Sequence, residues 1–405
     1  MRFYHLGDSM SHFLKIVLLP IAWTAALFLS QVALGSESKS ANAASKRAPT
    51  RVVMDGIFSP LTVVLPLSFD AATFEGEKNR AKIKTALKEL SDHSTRLRDH
   101  AKGQDRAFEF IAASLSRDAK DIYRWYVRGS YGESRYLLHN LTENCIACHS
   151  RLPERSKFPG AEQFFKNVNL AGLSAVEQAQ LQTATRQFDA ALSTYEKLFS
   201  APASRPAEFV MMDVFTDYLK LCLRVKEDVK RPVPVLEKLA QRKDLPKYVS
   251  LEVTQWLQDL KQFESNPPAG TDDLAIGRSL IETAQKRMQF RMDRSGLVEY
   301  ILASKYLNRF VGNDSLPKAE GAVAEAYYLL GVTESMIGRS YWLSQTEFYL
   351  ETAVRLAPRS GFAEKAYAML EEQVVLEYSG SSGTHVPEDV QQTLNELRLL
   401  LQAGK

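Results

Sequence analysis

The chain has 405 residues, more than one ordinary core accommodates, which predicts two or three domains. Its 51 basic and 48 acidic residues nearly cancel to a formal charge of +3, and no long basic run is interleaved with aromatics, which argues against nucleic acid as a partner. Three cysteines leave no room for a disulfide framework.

Arg2 and Lys15 precede an apolar run over 16–29, followed by the small residues Ala33, Gly35 and Ser36. This is the layout of a secretory signal peptide over 1–35, cut after Gly35 or at a second small-residue site near Ala43. The run also approaches the length of a membrane span, so an uncleaved anchor is the alternative, and only then does the protein meet a membrane. No cysteine follows closely, which disfavours a lipid anchor. The expected location is the periplasm. Residues 36–50, rich in Ser, Ala and Lys, read as a disordered leader.

From residue 51 the pattern is helical. Pro60 and Pro66 interrupt the first apolar segments and predict a short, kinked helix. A second helix is expected over 75–101, where Ile83, Leu87, Leu90, Ser94, Leu97 and Ala101 alternate spacings of four and three as one seam. Gly103 ends it. A third is expected over 105–127, with Phe108, Ile111, Leu115, Ala119, Ile122 and Tyr126 on one face, before a turn at Gly129 and Gly132. The fourth places Leu138, Leu141, Cys145 and Cys148 on a common face, pointing the thiols inward, and Pro153 stops it.

That helix ends in Cys145-Ile-Ala-Cys148-His149, the C-x-x-C-H pattern by which a c-type haem is attached. Two thiols three positions apart can add across the two vinyl groups of a haem, and the adjoining histidine then lies under the iron as proximal ligand. The competing reading is a half-buried cysteine pair beside a surface histidine. A zinc site needs four ligands, and no second C-x-x-C or H-x-x-x-H completes one. Haem is ligated outside the cytoplasm, so the export signal and the motif agree.

Four short-looped helices ending in Leu141-Thr142-Glu143-Asn144-Cys145-Ile146-Ala147-Cys148-His149 resemble the cytochrome c-prime and related four-helix haem proteins over about residues 51 to 155. The resemblance implies one covalent haem c lying across a bundle near the end of the fourth helix, with Cys145 and Cys148 as thioethers and His149 as proximal ligand. The first helix departs from the family in being shorter and proline-broken. In an up-down-up-down order, the start of helix one and the ends of helices two and four share one end. Met54 there would give a six-coordinate, higher-potential carrier; His93 or His100 would give a bis-histidine site; the third option is an open or apolar distal face. His139 reads as structural. Arg151, Arg155 and Lys157 either neutralise the propionates, face an acidic partner, or simply end a helix near its dipole.

Beyond residue 158 the pattern changes. Residues 187–199 resemble the second helix of a tetratricopeptide repeat, with Ala191, Tyr195 and Leu198 before Pro202. Tyr327, Leu330 and Gly331 fit such a repeat's first helix, and 353–358 the end of its second. The expected layout is therefore all-α: a haem-binding bundle over 51–158, a helical repeat region over 159–268 and a repeat-like region over 269–405, together an irregular solenoid of helix pairs. Aromatics at Tyr327-Tyr328, Tyr341-Trp342 and Phe348-Tyr349 are either a docking face or the core of those pairs. Cys222, within Leu219-Lys220-Leu221-Cys222-Leu223, reads as a small apolar core residue.

No G-x-S-x-G, H-E-x-x-H or Gly-rich dinucleotide turn is present, and one haem motif argues against a multihaem reductase. The sequence thus predicts an exported monohaem cytochrome, an electron carrier rather than an enzyme, whose repeats dock a redox partner protein. Two other readings remain open: a haem-based gas-binding or sensing module, and a scaffold of a periplasmic complex.

Overall fold

Long stretches of three-four periodicity separated by short polar turns leave this chain one economical solution, and the structure is all-α apart from one two-residue hairpin at Ser379–Gly380 and Gly383–Thr384. It is a computed structural model describing residues 49–154, 159–168, 170, 172–201, 213–290, 293–313, 318–338, 345–381 and 383–403. The expected signal peptide and nearly all of the expected leader lie outside those residues, as do Arg155, Lys157, Pro202, Tyr341 and Trp342. The chain divides into two units, Met1–Val53 and Met54–Lys405, and the second contains the packed helices.

Helix α1 (Thr50–Ser68) is continuous over 19 residues and contains both Pro60 and Pro66, so it is longer than its prolines predict. Each proline removes one backbone donor. Against that loss, Ile57, Pro60, Val64, Leu65 and Ser68 are buried, and Ser68 Oγ lies 3.0 Å from His139 Nε2. Arg135 Nε donates to the Ser68 carbonyl at 2.7 Å, pinning the end of α1. The length and apolar composition of α1 would also suffice to cross a bilayer.

A short helix α2 (Ala71–Glu75) and a 3-10 turn (Glu77–Asn79) precede α3 (Arg80–Ala101). Gly76 caps α2 with its N–H on the Ala72 carbonyl, which is why the expected helix over 75–101 starts later. All six residues of its predicted seam are buried, and Ser94 donates to the Ser91 carbonyl at 2.9 Å instead of leaving a bare hydroxyl. Gly103 takes the positive φ, +72°, that turns the chain into α4 (Arg106–Val127), whose N-cap Asp105 accepts from the Phe108 N–H at 2.8 Å. Gly129, at φ +87°, makes the next turn, whereas Gly132 belongs to α5 (Tyr131–His149). Helices α3, α4 and α5 pack in succession as antiparallel neighbours.

The rest of the chain runs α6 (Pro159–Asn167), α7 (Ala175–Ala184), α8 (Phe188–Ser200), α9 (Val214–Lys220) with a π-helical turn at Leu221–Val225, α10 (Pro232–Ala240), α11 (Lys247–Ser265), α12 (Asp273–Arg287), α13 (Leu297–Gly312), α14 (Glu320–Ile337), α15 (Gln345–Leu356), α16 (Gly361–Glu377) and α17 (Glu388–Ala403). Sequential helices pack on one another: α7 on α8, α10 on α11, α12 on α13, α14 on α15. In two of these pairs a glycine on the first helix admits a leucine of the second. A Cβ on Gly277 would lie 2.7 Å from Leu307 Cγ, and one on Gly331 would lie 2.5 Å from Leu350 Cδ2. Cys222 is fully buried, as a core residue.

The C-terminal aromatics are largely core. Tyr327 and Tyr349 are buried, and the half-buried Phe348 stacks on Phe110 of α4 with centroids 4.4 Å apart and rings 15° from parallel. This pair joins the helix preceding the cysteine-bearing one to α15.

Candidate cofactor-attachment site

Cys145, Cys148 and His149 occupy the last two turns of α5. Three positions on a helix correspond to about 60° of rotation and about 4.5 Å of rise, so both thiols lie on neighbouring parts of one face. Leu138 and Leu141 of that face are buried, while both cysteines are half-buried. Cys145 Sγ lies 3.7 Å from the Leu141 carbonyl oxygen. Burial pushes the Cys145 thiol up to about 12, with the neighbouring Cys148 thiol adding to the effect. Burial also raises Cys148, partly offset by the guanidinium groups of Arg151 and Arg186. Both sulfurs are therefore protonated at neutral pH.

His149 is half-buried, and its Nδ1 is 2.7 Å from the carbonyl oxygen of Ala184 at the end of α7. A carbonyl only accepts, so Nδ1 carries the proton and the lone pair is on Nε2. Burial, and then the charge of Arg186, lower the imidazole to about 4, so it is neutral at physiological pH. A neutral ring oriented through one nitrogen, with the other bare, is the form that binds a metal. The capping box Ser174–Glu177 starts α7, and Arg186 adopts φ +63° just after it, so both ends of the helix carrying the Ala184 carbonyl are locally specified.

The turn after α5 is held by charges from elsewhere. Arg151 is buried, pairing with Asp105 at 2.8 Å and donating to Asn308 Oδ1 at 3.3 Å. It is therefore an internal cation, not one displayed to a partner. Arg224, on the π-helical turn, donates through Nε to the Ser150 carbonyl at 2.6 Å and through Nη1 to Glu334 at 2.9 Å.

Met54 lies in the first turns of α1 and is half-buried. The opposite end of α1 is held at Arg135 and His139, toward the start of α5. His93 packs against α1 as well: a Cβ on Gly56 would meet its Nδ1 at 2.5 Å. His100 meets Phe108 edge-on at 6.5 Å, and His139 is engaged with Ser68.

Ala184, Arg186, Arg224, Asn308 and Glu334 have no motif of their own, and nothing local in the sequence marks them as neighbours of the cysteine pair. The one local trace is Arg186, a bulky residue at a left-handed helix end where glycine is usual.

A second polar cluster lies between α11, α12 and α13. Arg287 Nη1 donates to both Asp259 Oδ1 and Glu299 Oε1, and the remaining oxygens Asp259 Oδ2 and Glu299 Oε2 are buried without a donor. The three side chains line a cleft of about 440 Å3 with Phe263, Ile276 and Leu280. Among the described residues no three His, Cys, Asp or Glu side chains converge as a metal-binding group. No protein-family model, curated protein or solved structure matches this chain.

Proposed function

We propose that the protein is an exported, periplasmic c-type cytochrome that carries one haem c and passes single electrons. In this reading the long helices α1, α3, α4 and α5 form the haem-binding bundle of residues 51–158. The helix pairs beyond it are a repeat-like solenoid that docks a redox partner protein.

The observation that carries the reading is the state of the motif's three side chains. Cys145 and Cys148 lie three positions apart on one helix face, where two thiols can add across two vinyl groups. The S–H and the C=C are consumed, one C–S and one C–H bond form, and nothing is oxidised. His149 offers a bare Nε2 because Ala184 holds Nδ1. When bound, the haem supplies a one-electron iron couple. The chain's part is to attach it, orient the imidazole and keep that imidazole neutral. The ring stack of Phe110 on Phe348 between α4 and α15 supports a role for the C-terminal helices in fixing where the cofactor is presented.

The test is the mass and spectrum of the protein exported from a host that matures cytochromes. One covalent haem is expected on the wild type and none on a Cys145→Ser/Cys148→Ser double variant; a wild-type mass without haem sinks the reading. Carbon monoxide then separates the chemistries. A reduced spectrum unchanged by the gas supports electron transfer, and a shifted Soret band supports a gas-binding module instead.

A further inference from the structure

The residue that follows His149 is held through its carbonyl from far along the chain. Ser150 closes α5, its N–H on the Ile146 carbonyl at 2.8 Å, and its own carbonyl accepts from Arg224 Nε at 2.6 Å. Arg224 is 3% exposed, and its Nη1 is shared between Ser304 Oγ on α13 at 3.1 Å and Glu334 Oε1 on α14 at 2.9 Å. Glu334 is 4% exposed. One residue on, the buried Arg151 reaches Asn308, whose Nδ2 donates to the Ser304 carbonyl at 2.8 Å. Arg224 itself sits on the π-helical turn Leu221–Val225, closed by Lys226 N–H on the Leu221 carbonyl at 2.9 Å. Such turns re-aim a side chain within an otherwise α-helical run.

Burying a guanidinium is costly unless its donors are matched, and Ser150 is itself buried, so its carbonyl needs a donor from within the chain. Here one donor, Nε, takes the carbonyl of Ser150, the residue next to His149, while Nη1 ties the same side chain to α13 and α14. A guanidinium suits this because its donors diverge in a rigid fork, so one side chain fixes Ser150, Ser304 and Glu334 together.

We infer that Arg224 is a positioning residue for His149, and that α13 and α14 thereby form the outer part of the proximal side of the cofactor site. The inference rests on the haem reading above. It gives the C-terminal helices a second role: a partner that shifted α13 against α14 would move Arg224 and, with it, the Ser150 carbonyl beside His149.

The discriminating variant is Arg224→Lys, compared with Arg287→Lys in the unrelated ion cluster between α11, α12 and α13. A lysine keeps the charge opposite Glu334, but one ammonium cannot also reach the Ser150 carbonyl in the guanidinium's geometry. In the full-length exported protein, Arg224→Lys is expected to retain covalent haem by mass while its ferric electron paramagnetic resonance g-values broaden and shift and its reduction potential moves. Arg287→Lys is expected to lower stability with both readouts unchanged. Ser304→Ala, which removes one anchor of Arg224 and no charge, gives a smaller change in the same sense and serves if Arg224→Lys does not accumulate. Wild-type spectra and potential in Arg224→Lys or, failing that, in Ser304→Ala overturn the inference, as does an equal shift in Arg287→Lys. A wild-type chain without haem overturns the parent reading, a result visible by mass before any variant is compared.

Discussion

His149 donates its Nδ1 proton to the carbonyl oxygen of Ala184 across 2.7 Å, although the two residues are 35 positions apart and belong to different helices. The contact fixes both which nitrogen is protonated and which way the ring faces. In the haem-free chain, nitrogen-15 spectra of the imidazole are therefore expected to show a single tautomer, protonated at Nδ1, throughout neutral pH. A ring interconverting between tautomers, or protonated at Nε2, contradicts this arrangement. The lowered value of about 4 adds a direction: the folded chain excludes a proton that the unfolded chain accepts below about 6.5. This group's contribution to stability is thus present above 6.5 and is lost as the pH falls toward 4.

The distal face offers a second experiment. On the haem reading, Met54 near the start of α1 would supply a thioether as sixth ligand to the iron. Met54→Ala is expected to open that position, so the reduced protein gains a carbon monoxide response that the wild type lacks. An unaltered spectrum removes Met54 from the site and turns attention to His93, which lies against Gly56 on the same helix.

Much of this was legible in the sequence where the determinants are local. The seam from Ile83 to Ala101 is a single-helix periodicity, and all six of its positions are buried. Gly103 and Gly129 turn the chain at positive φ because both follow a long periodic run and lack a Cβ. The cysteine pair is visible because two of only three cysteines stand three positions apart. The length of α1 was not legible: two prolines argue for a break, and only burial of Ile57, Val64 and Leu65 against other helices outweighs them. Nor was the setting of the motif. Ala184, Arg224 and Glu334 reach it through tertiary packing, which leaves no periodic trace, and Arg151 reads as a surface cation until Asp105 and Asn308 are placed around it.

The helix pairs of the C-terminal half invite a steric test. Gly331 on α14 admits Leu350 of α15 so closely that an added Cβ would lie 2.5 Å from Cδ2 and 2.8 Å from Cγ. Alanine would gain about 1 kcal/mol of helix propensity at an exposed site. Overpacking in a dense core costs about 1–3 kcal/mol, and Leu350 is fully buried with little freedom to retreat. Gly331→Ala is therefore expected to destabilise the protein in urea unfolding, by about 1 kcal/mol net. A stabilised variant would mean that the close approach is not a constraint on this pair.

The final prediction concerns the two carboxylates that share Arg287. Asp259 and Glu299 are 4% and 5% exposed, and one guanidinium cannot balance two buried negative charges. With Asp259 Oδ2 and Glu299 Oε2 both lacking a donor, a proton held between them removes the repulsion and supplies the missing hydrogen bond. Burial, and then the Asp259 carboxylate, accordingly push Glu299 up from 4.5 to about 7, and burial raises Asp259 as well. Between these limits the folded chain retains a proton that the unfolded chain has released. The stabilisation is fully present below 4.5 and is lost as the pH rises through about 7. Glu299→Gln keeps a donor toward Asp259 but cannot titrate. Urea unfolding from about pH 5 to about pH 8 should show the wild type losing stability relative to this variant, by on the order of 2 kcal/mol, with the difference levelling off above the folded value. Parallel profiles for the two proteins would mean that no proton is shared, and that Arg287 alone holds α11, α12 and α13 together at this point.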